Sequence, residues 1–578
     1  MSGARAWVTA KWLLLLACLA TLGWLTALLT WPGANHTHLG RTELVSAAWV
    51  AFGVAAWLVR KVSLKRAAGL ILVAGIGLQA VAFSAPPAHS TDMYRYMWDG
   101  QVQASGIDPY EYPPSAAGVA QVRNDFIWHP YTSNAGHSTY HYCVVNKVSP
   151  EGPSYDQVAG CAKINRTNSP TIYPPVAEAW FTLVYLVAGD NSTTPMQVAM
   201  ALCAVLTTLV LLFGLRRLGR DPRLAALWAW CPTAILEVGN DAHADVLGVL
   251  LTAIGLLVLA SARTKRGTVL GGVLLGLALA TKLTPIFTFP GVLKRGWRLI
   301  LGAALATTIA VYVPHVIAVG SKVIGFFPGY LQQQGYASGS GYAIIGLFLH
   351  GKHASAAAFL IMGVVAVAVL RYSDPDQPWR GAVVMTAVAL AVGTPEFEWY
   401  SMLIVVLVAL DGRAEWLAMS AGAYLANEGR LTATITVPHQ LVAGYGGGLV
   451  VALAISAIRY RHALAHYRPL TRTALAGRGT PRQPSIEVCD TRIPLTRSVT
   501  RSVRPGITRT RPWFNSSTVV SSTENSSPAN SSAATSRPLD SSVNSTTMDS
   551  RDAAETLTPA WTSSAQPTMP PSTASSTE

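Results

Sequence analysis

Three apolar stretches, residues 12–31, 44–59 and 67–85, open the chain, and helices of such length suit a hydrocarbon layer about 30 Å thick. Lipid offers no partner to a free backbone N–H or C=O, so a chain that begins this way must close its hydrogen bonds within helices. Further apolar segments run at 195–215, 224–239, 244–262, 267–281, 283–293, 299–320, 343–371, 381–395, 397–410, 414–427 and 438–458. The expectation is an all-α polytopic membrane protein with about twelve to fourteen transmembrane helices. The first stretch is longer than the core of a usual signal peptide and is followed at once by further spans, so it reads as a retained anchor.

Composition agrees: 51% of the residues are hydrophobic and 12% charged, which excludes a soluble multidomain enzyme. The net charge of +14 does not form a nucleic-acid patch, because the basic residues fall between the apolar segments. Six cysteines without a CxxC pair exclude a disulfide-knit domain and a zinc ribbon.

Lys and Arg collect in cytoplasmic loops. With the N-terminus inside, the inner loops hold Arg60, Lys61, Lys65 and Arg66; Arg216, Arg217, Arg220 and Arg223; Arg263, Lys265 and Arg266; and Lys294, Arg295 and Arg298. This requires residues 172–188 to lie on the outer surface as an amphipathic helix. A single large outer loop then spans residues 86–194, with juxtamembrane helices inside it. The membrane domain is residues 1–460. Residues 461–578 form a cytoplasmic tail in which 29 of the last 64 residues are Ser or Thr, a composition that cannot bury enough apolar surface and predicts disorder.

Chemistry concentrates in the outer loop. Ser90 or Thr91 caps a predicted helix at about 92–104, and Gly106 stops it. Asp92, Arg95, Tyr96, Asp99 and Gln103 share one face of that helix. Such a face is either a solvated polar stripe or the carrier of a catalytic carboxylate at Asp92, whose place in the first turn favours its ionised form. Tyr173 with Pro174 and Pro175 closes the loop. Between them, His129, His137 and His141 match no strong metal spacing. Cys143 and Cys161 both fall in the outer loop, an oxidising setting, and are a candidate disulfide. Other polar groups emerge on the same side: Glu237, Asn240, Asp241, His243 and Asp245 at one turn, Lys282 at a bend, His315, the loop 326–342, and Glu396 and Glu398.

The ordered set TDMYRYMWDG, IYPP, GNDAHADVLGVLL, GLALATKLTP, YVPHV, PGYLQQQGY and PEFEWY resembles membrane glycosyltransferases of the C-type fold (GT-C). More narrowly, it resembles glycosyltransferase family 87 and the actinobacterial polyprenyl-phosphomannose-dependent mannosyltransferases, over roughly residues 67–460. The resemblance implies that Asp92 is the catalytic base, that the donor is a polyprenyl-phosphate mannose, and that the acceptor is a lipid-anchored glycan of the envelope. It further implies an inverting reaction at the outer face of a bacterial plasma membrane, with both termini cytoplasmic.

That chemistry needs one base for the acceptor hydroxyl and a cationic cradle for the departing phosphate. Arg95, Lys282 and His315 are candidates for the cradle. Asp99, Asp245 and Glu398 are candidates for sugar hydroxyls, Trp399 and Tyr336 for an aromatic face, and Tyr96 and Tyr173 for further substrate contacts. No metal or other cofactor is required, although a divalent ion between Asp92 and Asp99 is an alternative. Rival readings are a pentosyl (arabinofuranosyl) transferase, a protein O-mannosyltransferase of the same fold, and a lipid or solute transporter. A transporter would show inverted repeats and midplane polar groups, and neither is evident.

Overall fold

The computed structural model describes residues 2–35, 39–128, 162–189, 191–428 and 437–467, with short pieces at 130–131, 141–142, 147–149 and 152–154. All of these belong to the compact unit Met1–Pro481. The predicted tail, except for its first residues, and the Cys143–Cys161 pair lie outside the described residues.

The described fold is built from helices: α1 (Ser2–Thr30), α2 (Arg41–Val59), α3 (Leu64–Phe83), α4 (Asp92–Ala104), α5 (Pro175–Ala188), α6 (Thr194–Arg217), α7 (Asp245–Ser261), α8 (Lys265–Leu279), α9 (Trp297–Val319), α10 (Gly351–Tyr372), α11 (Trp379–Gly393), α12 (Met402–Asp411), α13 (Ala418–Glu428) and α14 (Gly447–Tyr467). Strands are confined to two short antiparallel ladders, Pro130–Tyr131 with His141–Tyr142 and Lys147–Ser149 with Gly152–Ser154. The last helix runs seven residues past the expected membrane boundary at 460 before the described chain ends.

Among the described residues, seven helices are long and apolar enough to cross a membrane, and α5, α7 and α11 are shorter apolar helices. The difference from twelve to fourteen has a physical cause. Several apolar segments are interrupted: 224–239 divides into a 3-10 turn, one helical turn and a π-helix at Ala234–Asn240, and 283–293 into a 3-10 turn and one helical turn. Continuous hydropathy does not reveal where a ladder changes its hydrogen-bond step.

The basic loops meet at one end of the bundle. Arg223 donates to the carbonyls of Arg60 and Val62, Arg220 to the carbonyl of Asp411 and to Gln377, and Arg295 pairs with Asp376. Helix α4 enters at the other end and is buried from Met93 to Val102. It lies tight against α5: a Cβ on Gly100 would stand 2.5 Å from the Phe181 carbonyl oxygen, so only glycine fits the crossing. Tyr96 stacks on Phe181 at 4.5 Å and meets Tyr173 edge-on at 4.9 Å.

The chain leaving at residue 128 returns at 162 through one neck. Trp128 bridges Ala162, and Lys163 N–H donates to the Ile127 carbonyl at 2.9 Å.

Candidate active site

Asp92 opens α4, as the capping pattern predicts, with Thr91 at the N-cap and Gly106 in the left-handed region (φ 81°) past the C-terminal end. Its backbone N–H donates to Ser90 Oγ at 3.2 Å. The approach to it is fixed from below. The Asn240 amide donates to the carbonyls of Ala82, Ala85 and Pro86, while the Asp241 carboxylate accepts from the N–H groups of Ala88 and His89 at 3.0 and 3.1 Å. A loop held at so many backbone atoms sets the direction in which α4 starts.

The returning segment of the outer loop supplies the partners of Asp92. Asn165 Nδ2 donates to Asp92 Oδ1 at 2.7 Å, and the Tyr173 hydroxyl stands 3.5 Å from Oδ2. Tyr173 is held in turn, because its carbonyl accepts from the Tyr110 hydroxyl at 2.6 Å. The segment from 320 to 335 closes over this wall: Phe326 N–H donates to the Thr171 carbonyl, and a Cβ on Gly325 (φ 57°) would fall 2.0 Å from that same oxygen. Position 325 therefore needs glycine both for its φ and for its space.

These elements enclose a cavity of 490 Å³, within the range of small-molecule sites. Asp92, Asn165, Arg166, Tyr173 and Lys282 line its polar part. Ile172, Leu283, Val323, Ile324 and Phe327 line an apolar part, joined by Trp399 and Tyr400. Leu283 and Ile324 are 45% and 56% exposed, so the apolar wall continues onto the lateral surface of the bundle.

The cations differ in their company. Lys282 Nζ bonds Asp245 Oδ2 at 2.9 Å and sits 5.4 and 5.6 Å from the Tyr173 and Tyr400 rings. Burial pulls the Lys282 ammonium down, but the charge and hydrogen bond of Asp245 outweigh it and raise the pKa above the usual lysine value. Arg166, in the left-handed region at φ 49°, faces the Phe326 and Tyr330 rings and makes no ion pair among the described residues. His89 also lines the cavity, yet burial and then the charge of Arg41 lower its pKa to about 4. Its ring is therefore neutral at pH 7, with Nε2 3.1 Å from the Leu29 carbonyl.

Of the residues singled out in sequence, Asp92, Tyr173, Lys282 and Trp399 line the cavity, and Asp245 touches it through Lys282. The others lie elsewhere. Arg95 Nε donates to both oxygens of Asp99 at 2.8 and 2.9 Å, and its Nη1 donates to the Ser169 carbonyl. Beyond Asp92, the polar stripe of α4 is thus neither solvated nor part of the cavity lining: Arg95 with Asp99 fastens the helix to the returning loop, and Gln103 fastens it to Thr182 of α5. Tyr96 is fully buried in its aromatic stack. His315 Nδ1 lies 2.7 Å from Asp108 Oδ2. Tyr336 donates to the Gly393 carbonyl at 3.0 Å. Glu398 is buried with Arg41 at 3.2 Å and with Asn427. Asn165 and Arg166, with His89, Tyr110 and Tyr400, are among the cavity residues that sequence reasoning missed. The signal for Asn165 and Arg166 was slight: a polar pair shortly before the IYPP motif that closes the loop.

Residues 171–395 match the sequence profile of glycosyltransferase family 87. The matched segment lies at the centre of this polytopic membrane protein and is similar to that family of glycosyltransferases. The stretch that is similar to this family contains Tyr173, Asp245, Lys282, His315 and Tyr336 but neither Asp92 nor Trp399. Among solved structures, the chain is similar to the Archaeoglobus fulgidus oligosaccharyltransferase tethered to an acceptor peptide containing the NVT sequon. The identity is 13% and the TM-score 0.32, over 67% of this chain and 55% of that one. The chain thus spans about half the length of that structure. No curated protein matches the chain.

Proposed function

We propose that the protein transfers a mannosyl residue from a polyprenyl-phosphate donor to a lipid-anchored glycan, with inversion, at the outer face of a bacterial plasma membrane. The observation that carries this reading is the division of one cavity into two parts. Its polar part holds a carboxylate, Asp92, with the cations Lys282 and Arg166. Its apolar part runs out to exposed aliphatic side chains where a prenyl chain can lie.

In this reaction the acceptor hydroxyl oxygen attacks the anomeric carbon and its proton passes to Asp92. The bond from that carbon to the phosphate oxygen breaks, and its electron pair leaves with polyprenyl phosphate. Lys282 and Arg166 stabilise the charge that accumulates there, while Asn165 and Tyr173 orient the base. Trp399 and Tyr400 offer faces for the sugar ring. The orientation rests on the basic loops, which gather at the end of the bundle away from α4 and by the positive-inside rule face the cytoplasm. Both termini are then cytoplasmic.

The test uses membranes that carry the protein, radiolabelled polyprenyl-phosphomannose and candidate lipid acceptors. Label should enter a glycolipid with the wild type and fail to do so with Asp92→Asn. Transfer that persists in the variant would remove Asp92 from the role of base, and transfer from a pentosyl donor in place of the mannosyl one would change the sugar assigned.

A further inference from the structure

Behind the cavity lies a group of side chains that the transfer reaction does not use. Glu237 ends the first turn of the π-helix, and Asp241 and His243 follow that helix; each offers a ligand atom within 4.8 Å of the other two. All three are at most 1% exposed. We infer that Glu237, Asp241 and His243 form a binding site for one divalent first-row transition-metal ion, which anchors the loop leading to Asp92.

The carboxylates alone would not carry this inference. The imidazole of His243 does: neither Nδ1 nor Nε2 has a hydrogen-bond partner, although the ring is fully buried. A neutral imidazole has one donor and one acceptor to satisfy, and buried polar atoms are seldom left without a partner. The ring is held in place by stacking on Trp399 at 4.0 Å and 24°. Its Nε2 stands 3.5 Å from Glu237 Oε2 without bonding to it. Two ligand atoms on one tetrahedral zinc ion are about 3.4 Å apart, given the usual zinc–nitrogen and zinc–oxygen lengths.

Charge points the same way. Glu237 accepts from the Tyr424 hydroxyl and Asp241 from two backbone N–H groups, all neutral donors. Among the described residues no lysine or arginine forms an ion pair with either. The charge of Arg41 reaches both groups, but Arg41 pairs directly with Glu398, a third carboxylate of the same region. Two carboxylates bonded directly only by neutral donors in a dry interior are unfavourable as anions, and a divalent cation would neutralise both. One imidazole with two carboxylates favours zinc, manganese or cobalt over magnesium or calcium, which prefer oxygen alone. The ion would act structurally. Asp241 accepts from Ala88 and His89, so a metal on its carboxylate stiffens the segment that carries Ser90, Thr91 and Asp92.

The experiment takes the full chain in lipid nanodiscs, treats it with chelator, and adds back Zn2+, Mn2+, Co2+ or Mg2+ alone. Metal per chain is measured after gel filtration, together with Tm and the visible spectrum of the Co2+ form. Expected are one bound transition-metal ion per chain, a Tm that falls on chelation and recovers with the ion, and affinity lower by at least about tenfold in His243→Gln and Glu237→Gln. Asp92→Asn should bind the ion as the wild type does, which keeps this inference separate from the role of Asp92 in transfer. A wild-type chain that binds no ion and is indifferent to chelator would overturn it, and so would binding unchanged in both variants. Where a variant fails to fold, spin-echo spectroscopy of the wild-type chain with a paramagnetic ion decides: a bound imidazole nitrogen supports the site, and its absence refutes it.

Discussion

Asn165 donates through one amide nitrogen to Asp92 Oδ1 at 2.7 Å and to Thr91 Oγ1 at 3.0 Å, joining the far end of the outer loop to the first turn of α4. One carboxylate oxygen is thereby fixed, while the other stands 3.5 Å from the Tyr173 hydroxyl. Asp92→Asn should lower kcat by roughly a hundredfold or more, the usual contribution of a general base. Asn165→Ala should lower kcat by roughly tenfold to a hundredfold with little change in KM, because it misaligns the base without removing it. Steady-state transfer assays in membranes separate the two, and equal losses of kcat and affinity in Asn165→Ala would contradict an orienting role.

Lys282 provides a pH test. Its folded pKa is raised, so its ionic contribution to stability is complete below the unfolded value of about 10.4 and is lost only as pH climbs through the folded one. Transfer by the wild type should therefore show no alkaline limb from Lys282 below that value. In Asp245→Asn the ammonium keeps its burial and loses its anion, so the limb should move down into the measurable range. A profile of kcat/KM against pH that is identical in the two proteins would remove Lys282 from the phosphate cradle.

Arg95 and Asp99 form a buried pair on successive turns of α4. Arg95→Ala leaves a carboxylate alone in the interior and should cost about 3–5 kcal/mol of stability, whereas Arg95→Met with Asp99→Leu should recover most of that. Thermal unfolding in detergent distinguishes the single from the double variant. Greater instability in the double variant would mean that the contact with the Ser169 carbonyl, not the ion pair, holds the helix.

Gly100 faces the Phe181 backbone at a separation that no side chain tolerates. Gly100→Val should destabilise by about 1–3 kcal/mol and reduce transfer as well, because pushing α4 away from α5 also displaces Asp92. Gly106→Ala, at a left-handed position with open space around it, should lower Tm without that loss of activity. Comparing activity at matched folded fractions checks the contrast.

Orientation can be read with membrane-impermeant thiol reagents on intact cells. Cysteines introduced at Ala120 and Gly335 should be labelled, and those at Leu64 and Lys265 should not. The reverse pattern would put the cavity in the cytosol and end the assignment of a lipid-phosphate donor at the outer leaflet.

Much of this was legible in the sequence because it was local. The apolar runs fixed the class, and the cap, the first-turn aspartate and the stopping glycine fixed α4 to within a residue. The basic loops sorted themselves to one end, as their charge requires. The candidates that do not line the cavity were polar side chains judged by their position at a span end, without knowledge of their partners. His315 is satisfied by Asp108 and Glu398 by Arg41, across 207 and 357 residues. No periodicity encodes such pairs, because they depend on which helices the topology brings together. Asn165 and Arg166 were missed for the opposite reason: they sit in irregular polar chain, where only the folded path shows that they return to Asp92.

The neck at Trp128 and Ala162 has an evolutionary reading. Chain inserted between two pinned ends adds length without moving what lies outside them, since closing a longer loop costs little once its ends are held. Changes of length or sequence at positions 129–161 should therefore leave Asp92 and its cavity with their geometry. Under the proposed function, grafting the corresponding stretch between homologues tests whether it governs the choice of acceptor.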